Sequence, residues 1–200
     1  MYTKELNAAI EAYKRAKEEI LKIYHQSFDV EIKEDNSPVT IADKKADEII
    51  RSYLSDLFPT HAFLTEESED DLSRLDNDYV WIVDPVDGTK DFIAKDDEFT
   101  TCIALAYKHE VVVGVIVVPA RGDIYYATKD GGAFHLLNEV STRIHVNDKL
   151  EDLTILKILK SIELKTITDS GLTNKTEMNA SKIAANKTGS FLIKFTNFIK

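Results

Sequence analysis

The chain has 200 residues, of which 44% are hydrophobic and 30% are charged, so it is long enough for a large domain and is not expected to be disordered. Its net charge of −10 argues against a nucleic-acid polymer as a partner, although small phosphate esters can bind if divalent cations screen the acidic groups. The single cysteine, Cys102, cannot form an internal disulfide. No apolar stretch approaches the roughly 20 residues of a membrane span and the N-terminus has no signal-peptide pattern, which predicts a cytoplasmic protein.

Two helices are predicted at the start of the chain. Apolar residues spaced by threes and fours indicate an amphipathic helix over residues 2–26. An extended segment at 28–33 and a turn at 34–38 follow. Thr40, with Asp43 three residues later, has the spacing of a capping box and predicts the start of a second helix.

The next part of the chain has the pattern of strands. Residues 62–65 are short and apolar, and residues 79–83 form a continuous apolar run typical of a strand buried on both faces. Two hairpins with turns at 108–110 and 129–132 are predicted from four further runs, at residues 99–107, 111–118, 123–128 and 133–137. Two helices followed by a largely antiparallel meander predict a mixed αβ fold of the α+β class.

The composition changes after about residue 150, where Lys, Thr, Asn and Ser become frequent and aromatic residues become rare. Helices are predicted at residues 153–164 and 174–186. We therefore expect an N-terminal domain over residues 1–150 and a partial second domain over residues 151–200.

Acidic residues stand where two predicted strands end. Glu66 and Glu67 directly follow the first strand, Asp84 directly follows the second, and Asp87 lies three residues further on. Ligands at the ends of buried strands are held on a rigid frame, and carboxylate oxygens are the ligands that Mg²⁺ prefers. The sequence therefore predicts a magnesium site here.

Residues 84–89 read Asp-Pro-Val-Asp-Gly-Thr, a turn that can bring its two carboxylates together. Gly88 allows the backbone to approach a ligand closely. If Gly88 and Thr89 open a short helix, their N–H groups point at a phosphate oxygen. The hydroxyl of Thr89 can hydrogen-bond a water molecule, and Asp43 can accept the proton.

This segment resembles the Asp-Pro-x-Asp-Gly-Thr motif of the inositol monophosphatase superfamily. Residues 37–43, read as Ser-Pro-Val-Thr-x-x-Asp, resemble the start of a helix in that family. Phe-Pro at 58–59 and Thr-Glu-Glu-Ser at 65–68 resemble its first acidic segment. Three motifs in the family's order are far more specific than any one of them.

Residues 89–92, Thr-Lys-Asp-Phe, are closer to the 3′(2′),5′-bisphosphate nucleotidase branch than to the inositol branch, which typically reads Thr-Thr-Asn-Phe. The resemblance covers roughly residues 1–150. It implies a layered αβαβα sugar-phosphatase-like fold and Mg²⁺-dependent, lithium-sensitive hydrolysis of a small phosphate monoester. The substrate that the resemblance to the nucleotidase branch implies is the 3′-phosphate of adenosine 3′,5′-bisphosphate.

The resemblance also implies a role for each matching residue. Thr89 and Asp43 would orient and deprotonate the attacking water, and Gly88 and Thr89 would hold the phosphate. The implied metal ligands are the carboxylates of Glu66, Asp84 and Asp87 and the carbonyl of Val86.

The chain departs from the family in its second half. Family members carry a Trp-Asp-x-Ala-Ala-Gly motif there, but the one tryptophan of this chain, Trp81, lies in the first half. Asp169 is the only aspartate after Asp152, and its surroundings do not match. The sequence stops at Lys200, so we expect a truncated member with an incomplete second domain and little or no activity in this form.

Other interpretations remain open at this point. The function could instead be that of an inositol monophosphatase or of a non-catalytic remnant that binds metal or phosphate, and a homodimer is open as an assembly. Asp43 could be only a helix cap, Asp84 and Asp87 could be ordinary turn residues, and Lys90 could face solvent or substrate. A solvated acidic loop is the better interpretation of Glu67, Glu69, Asp70 and Asp71.

Overall fold

The computed structural model describes residues 2–32 and 38–145, except for the side chain of Pro38. Three predictions fall outside these ranges: the helices at 153–164 and 174–186, the partial domain at 151–200, and the turn at 34–38 except for its last residue. Described residues up to Ile144 form one compact unit, and the domain boundary at residue 150 stays a prediction.

Two long helices precede most of the strands, and β5 to β9 follow one another without a helix, which confirms the predicted α+β class. Three helices lie in the described part: α1 Thr3–Tyr24, α2 Ile41–Leu57 and α3 Thr89–Ala94. A single 3₁₀ turn covers Ser73–Leu75. The strands are β1 Val30–Ile32, β2 Pro38–Thr40, β3 Ala62–Thr65, β4 Tyr79–Asp87, β5 Thr100–Tyr107, β6 Glu110–Val118, β7 Asp123–Thr128, β8 Gly132–Leu137 and β9 Val140–Ile144.

Seven strands form one sheet in the order of the sequence, from β3 to β9. Strands β4 to β9 pair antiparallel with their neighbours, as the predicted meander requires. The exception is β3, which pairs parallel with β4, with Thr65 opposite Val83. Both strands therefore end at the same edge of the sheet, where the acidic residues of the sequence are found.

The core lies between this sheet and the two long helices. Helices α1 and α2 pack against each other, and they contact the central strands β4, β5 and β6. Alternate residues of a strand point to opposite faces, so most of the buried contributors from β4 to β6 share one parity. Those that do are Trp81, Val83, Ile103, Leu105, Val113, Val115 and Val117, whereas Val86 and Val112, next to the two register shifts of β5, have the other parity.

Helix α2 begins where the sequence predicts, and its first turn is closed by a capping box. The hydroxyl of Thr40 accepts a hydrogen bond from the N–H of Ala42 at 3.1 Å. In return, the N–H of Thr40 donates to Oδ2 of Asp43 at 2.9 Å. Two backbone donors at the helix terminus are thereby satisfied in a buried region.

The prediction that the second strand ends at Val83 is wrong, because β4 continues through Pro85 to Asp87. The apolar run stops at Val83, and the following residues include Pro85, which has no N–H to donate to a neighbouring strand. The structure accommodates it with a register shift against β5 between Asp84 and Asp87. Such a bulge leaves an extra residue outside the regular ladder.

Two further elements have weak signals in the sequence. A short helix opened by Gly88 and Thr89 was only a condition of the expected phosphate contact, and the structure forms this helix, α3, over six residues. Strand β9 was missed because all five of its residues are exposed, so its side chains show no buried alternation. None of the helices in the described residues is long and apolar enough to cross a membrane.

Replacing Thr40 by Ala should lower the free energy of unfolding by about 1 kcal/mol, because the N–H of Ala42 loses its side-chain acceptor. Urea denaturation followed by circular dichroism measures this change. Thr60→Ala, at an exposed position, is the matched control. Equal effects of the two substitutions would show that the cap contributes nothing to stability.

Candidate active site

Glu66 and Asp84 lie side by side at the edge of the sheet because their strands run parallel. Thr65 is the register partner of Val83, so the next residue on each chain is one of the two acids. The N–H of Glu66 donates to the carbonyl of Val83 at 3.2 Å, which continues the pairing by one more residue. Glu66 is exposed, whereas Asp84 is buried. The sheet therefore offers one solvent-facing and one buried carboxylate at this edge.

The bulge in β4 changes the direction of the chain between Asp84 and Asp87. The three-residue step between them is matched by a two-residue step on β5. Inside the bulge, the carbonyl of Pro85 accepts a hydrogen bond from the buried hydroxyl of Thr101 at 2.9 Å. The bulge is thus fixed from the neighbouring strand, and Asp87 is half-buried at its end.

Gly88 connects the bulge to α3 in a conformation that other residues adopt poorly. Its φ is +94°, in the region where a side chain is strained. A Cβ atom at this position would also lie 3.2 Å from Oδ2 of Asp91 and 3.4 Å from the Cα of Phe99. The glycine is therefore required by the local backbone, whatever else the site does.

Thr89 is the first residue of α3, and its hydroxyl faces two acceptors. Its Oγ1 lies 3.2 Å from Oδ1 of Asp43 and 3.2 Å from the carbonyl oxygen of Val86. A hydroxyl has a single proton, which favours the carboxylate because hydrogen bonds to charged acceptors are stronger. The oxygen of Thr89 can then accept a hydrogen bond from a water molecule, and the Val86 carbonyl keeps a lone pair for another ligand.

The two carboxylate oxygens of Asp43 serve two different parts of the chain. Oδ2 accepts from the N–H of Thr40 at 2.9 Å and from its hydroxyl at 2.6 Å, while Oδ1 accepts from Thr89. Asp43 is therefore a helix cap and a partner of Thr89 at the same time. Burial raises the pKa of this carboxyl above its usual range, and the hydrogen bonds from Thr40 and Thr89 oppose that rise.

The donors at this edge have the chemistry that Mg²⁺ requires, since they are carboxylate and carbonyl oxygens. Their arrangement also fits in part: Glu66 and Asp84 follow paired strand positions, and the Val86 carbonyl faces the same threonine as Asp43. Over residues 2–32 and 38–145, however, no group of three or more His, Cys, Asp and Glu side chains is placed so that it could hold a metal ion. Sharing of one ion by Glu66, Asp84 and Asp87 stays a prediction.

Two of the acidic residues that follow Glu67, Asp70 and Asp71, form local hydrogen bonds within the loop. The Asp70 carboxylate accepts from the N–H of Leu72 at 3.0 Å and pairs with Arg74 at 2.8 Å. Asp71 accepts from the N–H of Ser73 at 2.9 Å, and this contact, with the Ser73 hydroxyl, lowers the pKa of Asp71. These bonds organise the turn that precedes β4, in line with a loop rather than a ligand set.

One group of polar residues beside the site was missed in the sequence. Asp47 and Arg51 on α2 both hydrogen-bond the side chain of Ser68, which follows the two glutamates. Asp43, Asp47 and Arg51 are spaced by four residues and therefore lie on one face of the helix. That spacing was visible in the sequence, but nothing in it indicated Ser68 as the partner.

The raised pKa of Asp43 predicts a characteristic pH dependence of stability. The folded state holds the Asp43 proton more tightly than the unfolded state, in which the pKa has its reference value of 3.8. The contribution of Asp43 to the free energy of unfolding therefore falls as the pH rises from 3.8 through the pKa of the folded state. Asp43→Asn has no such group, so the wild type should lose stability relative to this variant over that window. Urea denaturation in EDTA between pH 3 and 8 measures it, with the exposed Asp56→Asn as control. A pH-independent difference between wild type and Asp43→Asn would contradict the shift.

Comparison with known proteins finds one family that matches most of this chain. The profile of the inositol monophosphatase family matches residues 1–193. The inositol-1-monophosphatase of Rhizobium meliloti is 35% identical over 152 residues, which cover 75% of this chain and 56% of the relative. The 3′(2′),5′-bisphosphate nucleotidase CysQ of Haemophilus influenzae is 37% identical over 128 residues, covering 62% of this chain and 46% of the relative.

A solved structure shows that the fold of this chain is also similar to that of a known protein. The extragenic suppressor protein suhB of Bartonella henselae superposes with a TM-score of 0.68 at 29% identity, covering 84% of this chain and 67% of that protein. The chain spans about half the length of the curated relatives that it matches. Since the family profile extends over almost all of its residues and the fold agrees, the chain belongs to the inositol monophosphatase family.

Proposed function

We propose that this chain carries the first half of the active site of a Mg²⁺-dependent phosphatase that hydrolyses a small phosphate monoester. The observation that supports this most strongly is the contact of the Thr89 hydroxyl with the buried Asp43 carboxylate, beside the carbonyl of Val86. A hydroxyl held against a buried carboxylate at the edge of the sheet is suited to moving a proton. A purely structural cap would need only Oδ2 of Asp43.

Thr89 and Asp43 act in sequence on the attacking water. The water donates a hydrogen bond to Oγ1 of Thr89, and the hydroxyl of Thr89 donates a hydrogen bond to Oδ1 of Asp43. As the water oxygen attacks phosphorus, its proton passes to Thr89 and the threonine proton passes to Asp43, while the bond from phosphorus to the ester oxygen breaks on the opposite side and the leaving oxygen takes a proton from solvent. The raised pKa of Asp43 makes its carboxylate a better proton acceptor than an exposed aspartate.

The metal ligands in this proposal are Glu66, Asp84 and Asp87 through their carboxylates and Val86 through its carbonyl. When bound, Mg²⁺ would lower the pKa of the attacking water and neutralise charge on the phosphate and on the leaving oxygen. The chain itself contributes the order of these groups: β3 and β4 place Glu66 beside Asp84, and the bulge re-aims the backbone before Asp87.

The phosphate contact of Gly88 and Thr89 is the least supported part of the proposal. Helix α3 has only six residues, so its dipole is small, and the glycine is already explained by its backbone conformation. Lys90 is exposed and does not decide between solvent and substrate.

For the substrate we propose a nucleoside bisphosphate, with adenosine 3′,5′-bisphosphate as the first choice. The supporting observations are Thr-Lys-Asp-Phe at residues 89–92 and the similarity to the CysQ nucleotidase of Haemophilus influenzae. An inositol phosphate is the second candidate, because the similarity to the Rhizobium meliloti inositol-1-monophosphatase covers a larger share of the chain. A non-catalytic protein that binds metal or phosphate is the third. Location in the cytoplasm and homodimer formation stay predictions.

Thr89→Ala should lower turnover by about 10²–10⁴-fold, because the proton of the attacking water loses its route to Asp43. Since the chain spans about half of its relatives, phosphate release is measured on the chain itself and on a fusion that adds the unmatched C-terminal part of Haemophilus influenzae CysQ. Thr89→Ser, which keeps the hydroxyl, is the matched control and should retain most of the activity. The substrates are adenosine 3′,5′-bisphosphate and inositol 1-phosphate, with and without Mg²⁺ and Li⁺.

The results separate the three candidates. Mg²⁺-dependent, Li⁺-sensitive release from the bisphosphate supports the nucleotidase, and faster release from inositol 1-phosphate supports the second candidate. No release from either protein, together with Mg²⁺ binding that Asp84→Asn abolishes, identifies the non-catalytic alternative. Normal turnover in Thr89→Ala would show that the proposed proton route is wrong.

A further inference from the structure

We propose that Asp47 on α2 is a positioning residue that holds the acidic segment Glu66–Glu67 in place through Ser68. This inference rests on the proposed function, in which Glu66 is a metal ligand. It adds a residue to the site that neither the motifs nor the comparisons assign.

The side chain of Ser68 is held between two charged groups. Its hydroxyl donates to Oδ2 of Asp47, and Nη1 of Arg51 donates to the same oxygen of Ser68. The serine therefore uses its donor and an acceptor lone pair toward the helix, which fixes both the rotation of its hydroxyl and its distance from α2. Because one partner of each bond is charged, these are among the stronger hydrogen bonds of a protein.

Burial of Asp47 shows that the contact is more than a surface pair. Its side chain is only 5% exposed, whereas that of Arg51 is 41% exposed. The two groups are 3.9 Å apart at their nearest atoms, so Ser68 is the nearer partner of both. A buried carboxylate is costly unless it is hydrogen-bonded, and the Asp47 carboxylate accepts its bond from a residue 21 positions away in the chain. The contact therefore ties the loop to the helix rather than stabilising the helix alone.

Ser68 stands at the position where the sheet no longer holds the chain. Pairing with β4 ends at Thr65, and the N–H of Glu66 makes one last bond to the Val83 carbonyl. Two residues later, Ser68 is bound to α2. The segment Glu66–Glu67 is thus fixed at one end by the sheet and at the other by Asp47, so its freedom to move relative to Asp84 is small.

The same helix face fixes the other half of the site. Asp43 contacts Thr89, and Asp47 contacts Ser68 one helical turn later. A four-residue spacing on a rigid helix therefore sets the distance between the proton acceptor and the acidic segment. This is the kind of support that keeps ligands in a productive geometry, and its loss should weaken metal binding without unfolding the protein.

The test removes the tether and measures two independent properties. In metal-free protein, Ser68→Ala should increase amide hydrogen exchange of the peptide spanning residues 64–70 about tenfold or more, because two charge-assisted bonds are lost. In calorimetry, the same variant should bind Mg²⁺ with a dissociation constant that is higher by about tenfold or more.

Three further variants serve as controls. Asp47→Asn should have a smaller effect of the same sign, since the amide oxygen still accepts a hydrogen bond, although a weaker one. Glu48→Gln, an exposed acid on the same helix, is the charge-matched control, and Ser68→Thr should restore both properties.

A double substitution shows whether Ser68 acts through Glu66. In a Glu66→Gln background, Ser68→Ala should change the Mg²⁺ dissociation constant by less than about twofold, because the ligand that it positions is gone. Faster exchange with unchanged Mg²⁺ affinity would overturn the positioning role, and unchanged exchange would overturn the tether itself. If the wild-type chain and its CysQ fusion bind no Mg²⁺, the proposed function fails. If they bind it and Ser68→Ala binds it equally well, only the present inference fails.

Discussion

The carboxylate of Asp43 is shared between two hydrogen-bonding tasks, and the geometry of the site depends on that division. One oxygen closes the capping box with Thr40, which fixes where α2 begins. The other receives the hydroxyl of Thr89, which fixes α3 against the helix from 46 residues away. Because each bond restricts the rotation of the same carboxyl group, the start of α2 and the orientation of Thr89 cannot vary independently. The cap thus aligns the proposed proton acceptor before any ligand is present.

Burial and hydrogen bonding shift the pKa of Asp43 in opposite directions, and this balance bears on its proposed role as a proton acceptor. Desolvation disfavours the charged form and raises the pKa, while three hydrogen bonds from Thr40 and Thr89 favour the charged form. Weaker hydrogen bonding would raise the pKa of this carboxyl further, because the charged form would be stabilised less. A fully solvated carboxyl would lack the rise that burial gives. Burying the charged form of this carboxyl costs free energy, and the hydrogen bonds from Thr40 and Thr89 offset part of that cost.

Parts of the fold that depend on neighbours in sequence could be predicted, and parts that depend on distant contacts could not. The capping box at Thr40 and most strand limits follow from local chemistry and periodicity, and the structure confirms them. The end of β4 was predicted wrongly because the apolar run stops before Asp84, whereas in the structure the strand continues through a bulge whose Pro85 carbonyl is bound by the hydroxyl of Thr101 on β5. In the site, the chemistry of the side chains and the family motif both linked Asp43 with Thr89 through a water molecule, but neither specified the direct hydrogen bond between the two residues. The contact of Ser68 with Asp47 had no signal, because a serine in an acidic loop has no pattern that names its partner.

The parallel pairing of β3 with β4 explains why the acidic groups are found at one edge although the sheet is otherwise antiparallel. In an antiparallel pair, the residue after one strand end lies beside the beginning of its neighbour, so Glu66 could not stand next to Asp84. The parallel connection passes through the turn that Asp70 and Asp71 organise, and this gives the acidic loop a structural purpose distinct from metal binding.

The end of β3 needs support from outside the sheet, because β3 is the outermost strand and has a single neighbouring strand in the described sheet. Helix α2 supplies it through Asp47 and Ser68, while Asp84, on an inner strand, is held by pairing on both sides of β4. The two carboxylates are therefore fixed by different means, one by the helix and the other by the sheet.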